Sequence, residues 1–237
     1  MNIPTLGEAK GEEKDMDKKA YYFHPVWDVL LRILHWWDAL TMLLQITTGS
    51  VILILSQKLQ DGASGWLLPV HAVCGYMFAA GILTRILWLF VGPPAASWRD
   101  ILPLTRNQLR ILTDTIRYYL SALRKPPPLY LAHNSFAGLI YAIFFVLAAG
   151  QTVIGAILLN LTPEERDKSI LLAWHEAGYY FLIFYVAAHL LAVFVHEWAE
   201  RHGLIAAMIH GNKTFTVEEW QELTSEKGGE KGRADSV

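Results

Sequence analysis

Four apolar stretches, each long enough to cross a bilayer, dominate this chain. They run from about Val29 to Leu55, Leu68 to Val91, Ser135 to Leu161 and Ile170 to Ala199. A transmembrane helix needs about 20 predominantly apolar residues, and all four windows qualify. Gly92-Pro93-Pro94 stops the second, and Pro126-Pro127-Pro128 precedes the third. At 53% hydrophobic and 18% charged, the 237-residue chain is too apolar for an average soluble domain. The expected fold is an all-α integral membrane protein, a four-transmembrane-helix bundle.

Basic residues set the expected topology. The 93–133 connection carries Arg99, Arg106, Arg110, Arg117, Arg124 and Lys125 against Asp100 and Asp114. The positive-inside rule places it in the cytoplasm, and four spans then put both termini there. Seven tryptophans (Trp27, Trp36, Trp37, Trp66, Trp98, Trp174, Trp198) fall near span ends and read as an interfacial belt. From Gln108 to Leu123, apolar Leu109, Leu112, Ile116, Tyr119, Leu120 and Leu123 recur at helical spacing. That predicts a cytoplasmic amphipathic helix between helices 2 and 3, lying on the membrane surface. The expected organisation is a polar N-terminal tail (1–20) with no cleavable signal peptide, a membrane domain (21–211) and a poorly ordered polar tail (212–237).

Several functions are excluded. Cys74 is the sole cysteine, so no internal disulfide or multi-cysteine metal centre can form. The absence of Cys-x-x-Cys-His rules out covalent c-type haem attachment. A net charge of −2 names no electrostatic partner, and no nucleic-acid motif occurs, so lipid is the expected surrounding and nucleic acid is not.

Four histidines, His35, His71, His175 and His189, lie inside or at the mouths of the spans. Ionisable groups are costly in a bilayer, so each needs a reason to be there. The topology sorts them by depth. His71 and His175 fall near the outer face, His35 and His189 near the inner face. His175 and His189 lie fourteen residues apart on one span, a rise of about 21 Å on nearly the same face. Two bis-histidine sites at two depths suit two haem b groups, because paired imidazoles close both axial positions of haem iron. Zinc would need more protein ligands. His196, seven residues past His189, shares that face and competes with it for the inner iron. Gly49 follows His35 by fourteen residues, where a missing side chain lets a macrocycle approach the outer layer. Arg85 follows His71 by fourteen and faces the inner layer, where a haem propionate would answer its charge. His24, His133, His202 and His210 sit in connections or tails and read as solvated side chains.

The pattern resembles the cytochrome b subunit of membrane-bound nickel–iron hydrogenases, within the wider family that includes formate dehydrogenase gamma subunits. The matching stretches are Arg32-Ile-Leu-His35-Trp36-Trp37 leading to Thr48-Gly49, and His71-x3-Gly75 leading to Arg85-Ile-Leu-Trp88-x2-Val-Gly92. His133-Asn134 and Trp174-His175-x2-Gly178 with His189 complete it. The match covers about residues 21–215. The resemblance implies a multi-pass protein of the bacterial inner membrane with two b haems, His35 paired with His189 and His71 with His175. It also implies hydrogenase partners, an iron–sulfur small subunit and a large subunit. Their electrons would pass from the outer haem to the inner one and on to menaquinone or ubiquinone near the cytoplasmic face. Asn134 corresponds to an asparagine near the quinone site of formate dehydrogenase cytochromes, and His196 and Arg32 are further candidates for the quinone edge. This sequence departs from the pattern at Ser135, where hydrogenase subunits read proline, and at Phe136, where formate enzymes read glycine. The chain would carry electrons and not split hydrogen. The alternatives are a cytochrome b subunit of a formate dehydrogenase or thiosulfate reductase, or a stand-alone di-haem quinone oxidoreductase.

Overall fold

The computed structural model describes residues 21–58, 65–125 and 127–234, the side chains of 56–58 and 226–234 excepted. The expected N-terminal tail (1–20) lies outside the described residues. The chain begins with a short strand, β1 (Tyr21–Pro25), and the first long helix, α1 (Val29–Lys58). Asp28 Oδ1 accepts the Leu31 amide at 3.0 Å and closes the exposed first turn of α1. The second long helix, α2 (Leu67–Val91), stops at Gly92, and a 3-10 turn follows at Pro94–Ala96. Two helices occupy the next connection, α3 (Trp98–Ile101) and α4 (Arg106–Leu120). The third long helix is α5 (Ser135–Leu159), followed by the single turn α6 (Pro163–Asp167) and the fourth long helix, α7 (Ile170–Glu200). The chain closes with α8 (Leu204–His210), β2 (Asn212–Thr216) and α9 (Val217–Ala234).

The four long helices are long and apolar enough to cross a membrane. They agree with the four expected spans to within a few residues. In space α1 packs on α2, α2 on α5, α5 on α7, and α7 returns to α1. This is a four-helix bundle in which successive long helices are neighbours in space, even α2 and α5, which the long 93–133 connection joins. Its middle is filled by buried Phe78, Ile82, Phe144, Phe145, Ala148 and Leu182. Outward faces are strongly apolar: Ile33, Leu40 and Ile54 on α1, and Phe184, Leu191 and Phe194 on α7, are exposed. Such a continuous apolar surface fits a lipid boundary.

The amphipathic helix is present as α4, displaced two to three residues towards the N-terminus of its expected bounds. A Thr105/Gln108 capping box starts it. It ends early because Ala122 and Leu123 turn left-handed, at φ 52° and 64°. The Leu123 amide then reaches back to Tyr118 O and the Ala122 amide to Tyr119 O, a Schellman closure. Thr115 and Tyr118 face inward against α5, while Leu109, Ile116 and Leu120 stay exposed on the opposite side. The polar stretch after residue 211, expected to lack order, contains β2, which pairs with β1 in a two-stranded sheet, and the helix α9.

The chain forms two compact units. One is Phe23–Thr214, which contains the bundle; the other, among the described residues, joins Tyr21 and Tyr22 with Phe215–Ala234. In the smaller unit Trp220 stacks on Tyr22, with ring centroids 5.9 Å apart.

Candidate functional site

The bundle brings the four span histidines together as two facing pairs. His71 and His175 lie with ring centroids 6.2 Å apart and planes at 90°. His35 and His189 lie 6.3 Å apart, with planes at 53°. A metal held between two imidazole nitrogens at about 2.0 Å each sets the ring centroids about 6.3 Å apart. Direct imidazole–imidazole hydrogen bonding would need closer rings, so both gaps fit one interposed atom. Because α7 supplies one member of each pair, the pairs are separated by about 21 Å along its axis.

The surroundings of the His71–His175 pair favour metal-binding imidazoles. Thr48 Oγ1 donates to Leu44 O at 2.7 Å, so its lone pair is free to accept from His71 Nδ1 at 2.8 Å. That fixes the proton on Nδ1 and leaves His71 Nε2 as a bare donor atom, the tautomer a metal requires. Gln45 holds the His71 carbonyl at 2.5 Å. His175 Nδ1 is buried and has no hydrogen-bond partner among the described residues. Gly49 and Gly155 flank this pair. A Cβ on Gly49 would meet the His71 ring at 3.5 Å, and one on Gly155 would meet the His175 ring at 3.2 Å. The two glycines, on α1 and α5, therefore let the His71 and His175 rings lie close against those helices. Gly49 was expected beside the outer layer. Gly155 was missed, although a glycine in an otherwise bulky span was its signal.

At the other pair, Tyr185 stacks on His189 with planes within 9°, and Trp36 stands edge-on to His35. Arg85 lies deeper along α2 and is 1% exposed. Its Nε donates to Tyr141 Oη at 3.1 Å and its Nη1 to Ala96 O at 3.2 Å. Its Nη2 is buried with no partner among the described residues, and so is Asp38 Oδ1. Two of three guanidinium nitrogens are thus held by protein, and the third remains for an anionic group. Asp38 went unremarked in the sequence, although an acid one turn past His35 inside a span was a visible signal. These observations fit two haem groups: facing imidazoles at the metal-bridging distance, a ligand tautomer set by Thr48, glycines against the ligand rings and a buried guanidinium with one nitrogen unbonded.

His196 has different company. Its Nδ1 lies 2.5 Å from Glu200 Oε1, and its Nε2 hydrogen-bonds Tyr119 Oη. Tyr130 Oη donates to Glu200 Oε2 at 2.8 Å, and His202 Nδ1 lies 3.5 Å from that same oxygen. His196, Glu200 and His202 are all buried. Burial and the Glu200 carboxylate push the Tyr119 hydroxyl up to about 12 and hold Tyr130 well above the ordinary phenol range. Both hydroxyls therefore keep their protons.

The remaining candidates are committed to structure. Asn134 caps α5, accepting the Phe136 amide at 2.9 Å, and its Nδ2 donates to Thr115 Oγ1 on α4 at 3.0 Å. Arg32 Nη1 donates to the Ile209 carbonyl at the end of α8. Two histidines expected to be solvated are not. His133 Nδ1 pairs with Asp100 Oδ2 at 2.6 Å, because the turn before α5 folds back on α3. His202 is buried where the chain reverses after α7. His210 is exposed, as expected.

Known proteins resemble this chain over most of its length. A probable Ni/Fe-hydrogenase B-type cytochrome subunit of Azotobacter vinelandii is 26% identical, over 89% of this chain and 95% of the relative. The protein of the same description from Bradyrhizobium diazoefficiens is 25% identical, over 80% of this chain and 85% of its own. The probable Ni/Fe-hydrogenase 1 B-type cytochrome subunit of Escherichia coli K12 is 22% identical, over 81% and 91%. No solved structure matches. The sequence model of the prokaryotic cytochrome b561 family matches residues 26–211, most of the chain and all four long helices, and the chain belongs to that family.

Proposed function

We propose that this protein is the di-haem b-type subunit of a membrane-bound nickel–iron hydrogenase and conducts electrons across the membrane from its partner subunits to quinone. The observation that carries this reading is the pair of histidine gaps, 6.2 Å and 6.3 Å, stacked along one shared helix. His71 and His175 would hold the outer haem, and His35 and His189 the inner one. When bound, the haems supply one-electron carriers at two depths. The chain's own residues do the rest. Thr48 keeps His71 in its ligand tautomer. Gly49 and Gly155 let the His71 and His175 rings lie against α1 and α5, and the unbonded Arg85 Nη2 would answer a propionate. The buried aromatic middle around Phe144 and Tyr185 excludes water between the two layers.

Its similarity to Ni/Fe-hydrogenase B-type cytochrome subunits supports hydrogenase partners. The Arg-rich 93–133 connection supports a cytoplasmic position for that end of the bundle. Quinone would then be reduced on the cytoplasmic side, near Asn134, His196 and Arg32. The test is spectroscopic. The purified chain should show a b-type alpha band that titrates as two components. In membranes containing the hydrogenase subunits, hydrogen gas should reduce both. A chain without a b-type band, or one left oxidised while hydrogenase in the same membrane reduces an artificial dye, overturns the reading.

A further inference from the structure

Electron conduction alone has no use for the buried acid–base chain at the end of α7. It starts at half-buried Tyr119 on α4, passes through His196 and reaches Glu200. Tyr130 and His202 hold the other Glu200 oxygen. His196 lies seven residues beyond His189, about 10.5 Å along the helix. Burying a carboxylate, two imidazoles and a tyrosine in contact is costly, and an uninterrupted donor–acceptor chain of this kind moves protons.

We propose that Tyr119, His196 and Glu200 form a proton relay for quinone reduction, with Tyr119 Oη as the group that touches the quinone oxygen. The proposal rests on the quinone-reducing reading above and assigns residues to its protons. Two observations favour Tyr119 as the substrate end. It is the least buried of the three, and the Phe136 ring stands edge-on to it at 5.6 Å, offering an apolar wall for a planar ring. Of the other polar candidates, Asn134 is engaged in capping α5 and bonding Thr115, while Arg32 donates through Nη1 to the Ile209 carbonyl and keeps a buried, unbonded Nε among the described residues.

The step balances as follows. In the loaded state Glu200 is a carboxylate and His196 an imidazolium: Nδ1–H donates to Glu200 Oε1 and Nε2–H to Tyr119 Oη. The Tyr119 O–H points at the quinone. As the quinone takes up electrons, which the bound haems would supply, the Tyr119 proton passes to its oxygen and the Nε2 proton passes to Tyr119. The product is a neutral His196, its Nδ1–H still donating to the Glu200 carboxylate, with Tyr119 O–H turned to Nε2. One proton has moved from His196 to the quinone, and Glu200 has kept its charge. Solvent reprotonates His196, and a second pass completes the quinol with two electrons and two protons.

The test uses the full chain with its haems, reduced beforehand and mixed with a naphthoquinone analogue. Reoxidation is followed in the b-type alpha band, in H2O and D2O. Tyr119→Phe, His196→Gln and Glu200→Gln should keep both haems and their reduced spectra. Maximal reoxidation should fall about a hundredfold or more, the scale of a lost general acid. His196→Gln and Glu200→Gln should leave the quinone concentration for half-maximal rate unchanged. The solvent isotope effect of the wild type should change in all three. A wild-type rate and isotope effect in Tyr119→Phe with intact haems overturns the relay, even if the Glu200 variant fails to assemble. A wild type whose reduced haems never pass electrons to the analogue overturns the quinone reading itself, and the relay with it.

Discussion

His189 and His196 occupy one face of α7, and periodicity cannot separate them. Their surroundings can. His189 faces His35 across a 6.3 Å gap with Tyr185 stacked on its flank. His196 has both ring nitrogens engaged, by Glu200 and Tyr119. A ligand must present a bare nitrogen, so we expect His189→Ala to lose one b-type component while His196→Ala retains both, measured in reduced-minus-oxidised spectra. The reverse result would make His196 the ligand. Gly155 carries a second residue-scale prediction. Even a methyl there would sit 3.2 Å from the His175 ring, tighter than ordinary packing. Gly155→Leu should therefore expel the outer haem selectively and leave the His35–His189 component in place; retention of both would show the space beside His175 is not needed. At this scale the sequence was readable where an ionisable group stood in an apolar run, as with the four histidines and Arg85. It was silent on Tyr119, Tyr130 and Glu200, because nothing in a linear pattern reveals which side chains a connection folds onto the end of a span.

Elements outside the bundle determine what the inner end can do. Through Tyr119, α4 supplies the half-buried end of the proton chain, and α4 is held on α5 by the Thr115–Asn134 contact. Asn134 also caps α5. Removing its side chain loses a cap worth about 1 kcal/mol and the hydrogen bond to Thr115, about 0.5–1.5 kcal/mol more, while Thr115 Oγ1 keeps its bond to Ile111 O. We expect Asn134→Ala to lower the thermal midpoint while both haem components persist, because neither histidine pair touches this junction. Loss of a haem would instead tie Asn134 to cofactor binding. The existence of α4 was legible from its apolar spacing. Its true end was not, because two non-glycine residues, Ala122 and Leu123, adopt the left-handed conformation that closes it. The short α6 and α8 were likewise hidden. They depend on caps and on partners distant in sequence, such as Arg32 and Trp36 on the α8 carbonyls, and not on periodicity.

For the whole molecule, the direction of the wire follows from which end of the bundle faces the cytoplasm. The ring order α1–α2–α5–α7 puts the starts of α1 and α5 with the ends of α2 and α7. His35 and His189 belong to that end, and so does the 93–133 connection with its five arginines and one lysine. Charge asymmetry of this size sets the orientation of a multi-span protein, since long apolar segments insert either way until flanking cations decide. We therefore expect a reporter active only in the cytoplasm to function when fused at the C-terminus or inserted near Leu123. The same reporter should fail between α5 and α7, near Asp167. Neutralising Arg99, Arg106, Arg110 and Arg117 together should weaken the bias and yield mixed orientation. The histidine pairs are nearly symmetric in spacing and would bind haem in either orientation. The Tyr119–His196–Glu200 chain is not symmetric: it exists at one end only. Inverted molecules should thus keep their b-type spectrum and take up quinone protons from the opposite side, which a pH indicator trapped inside vesicles would register.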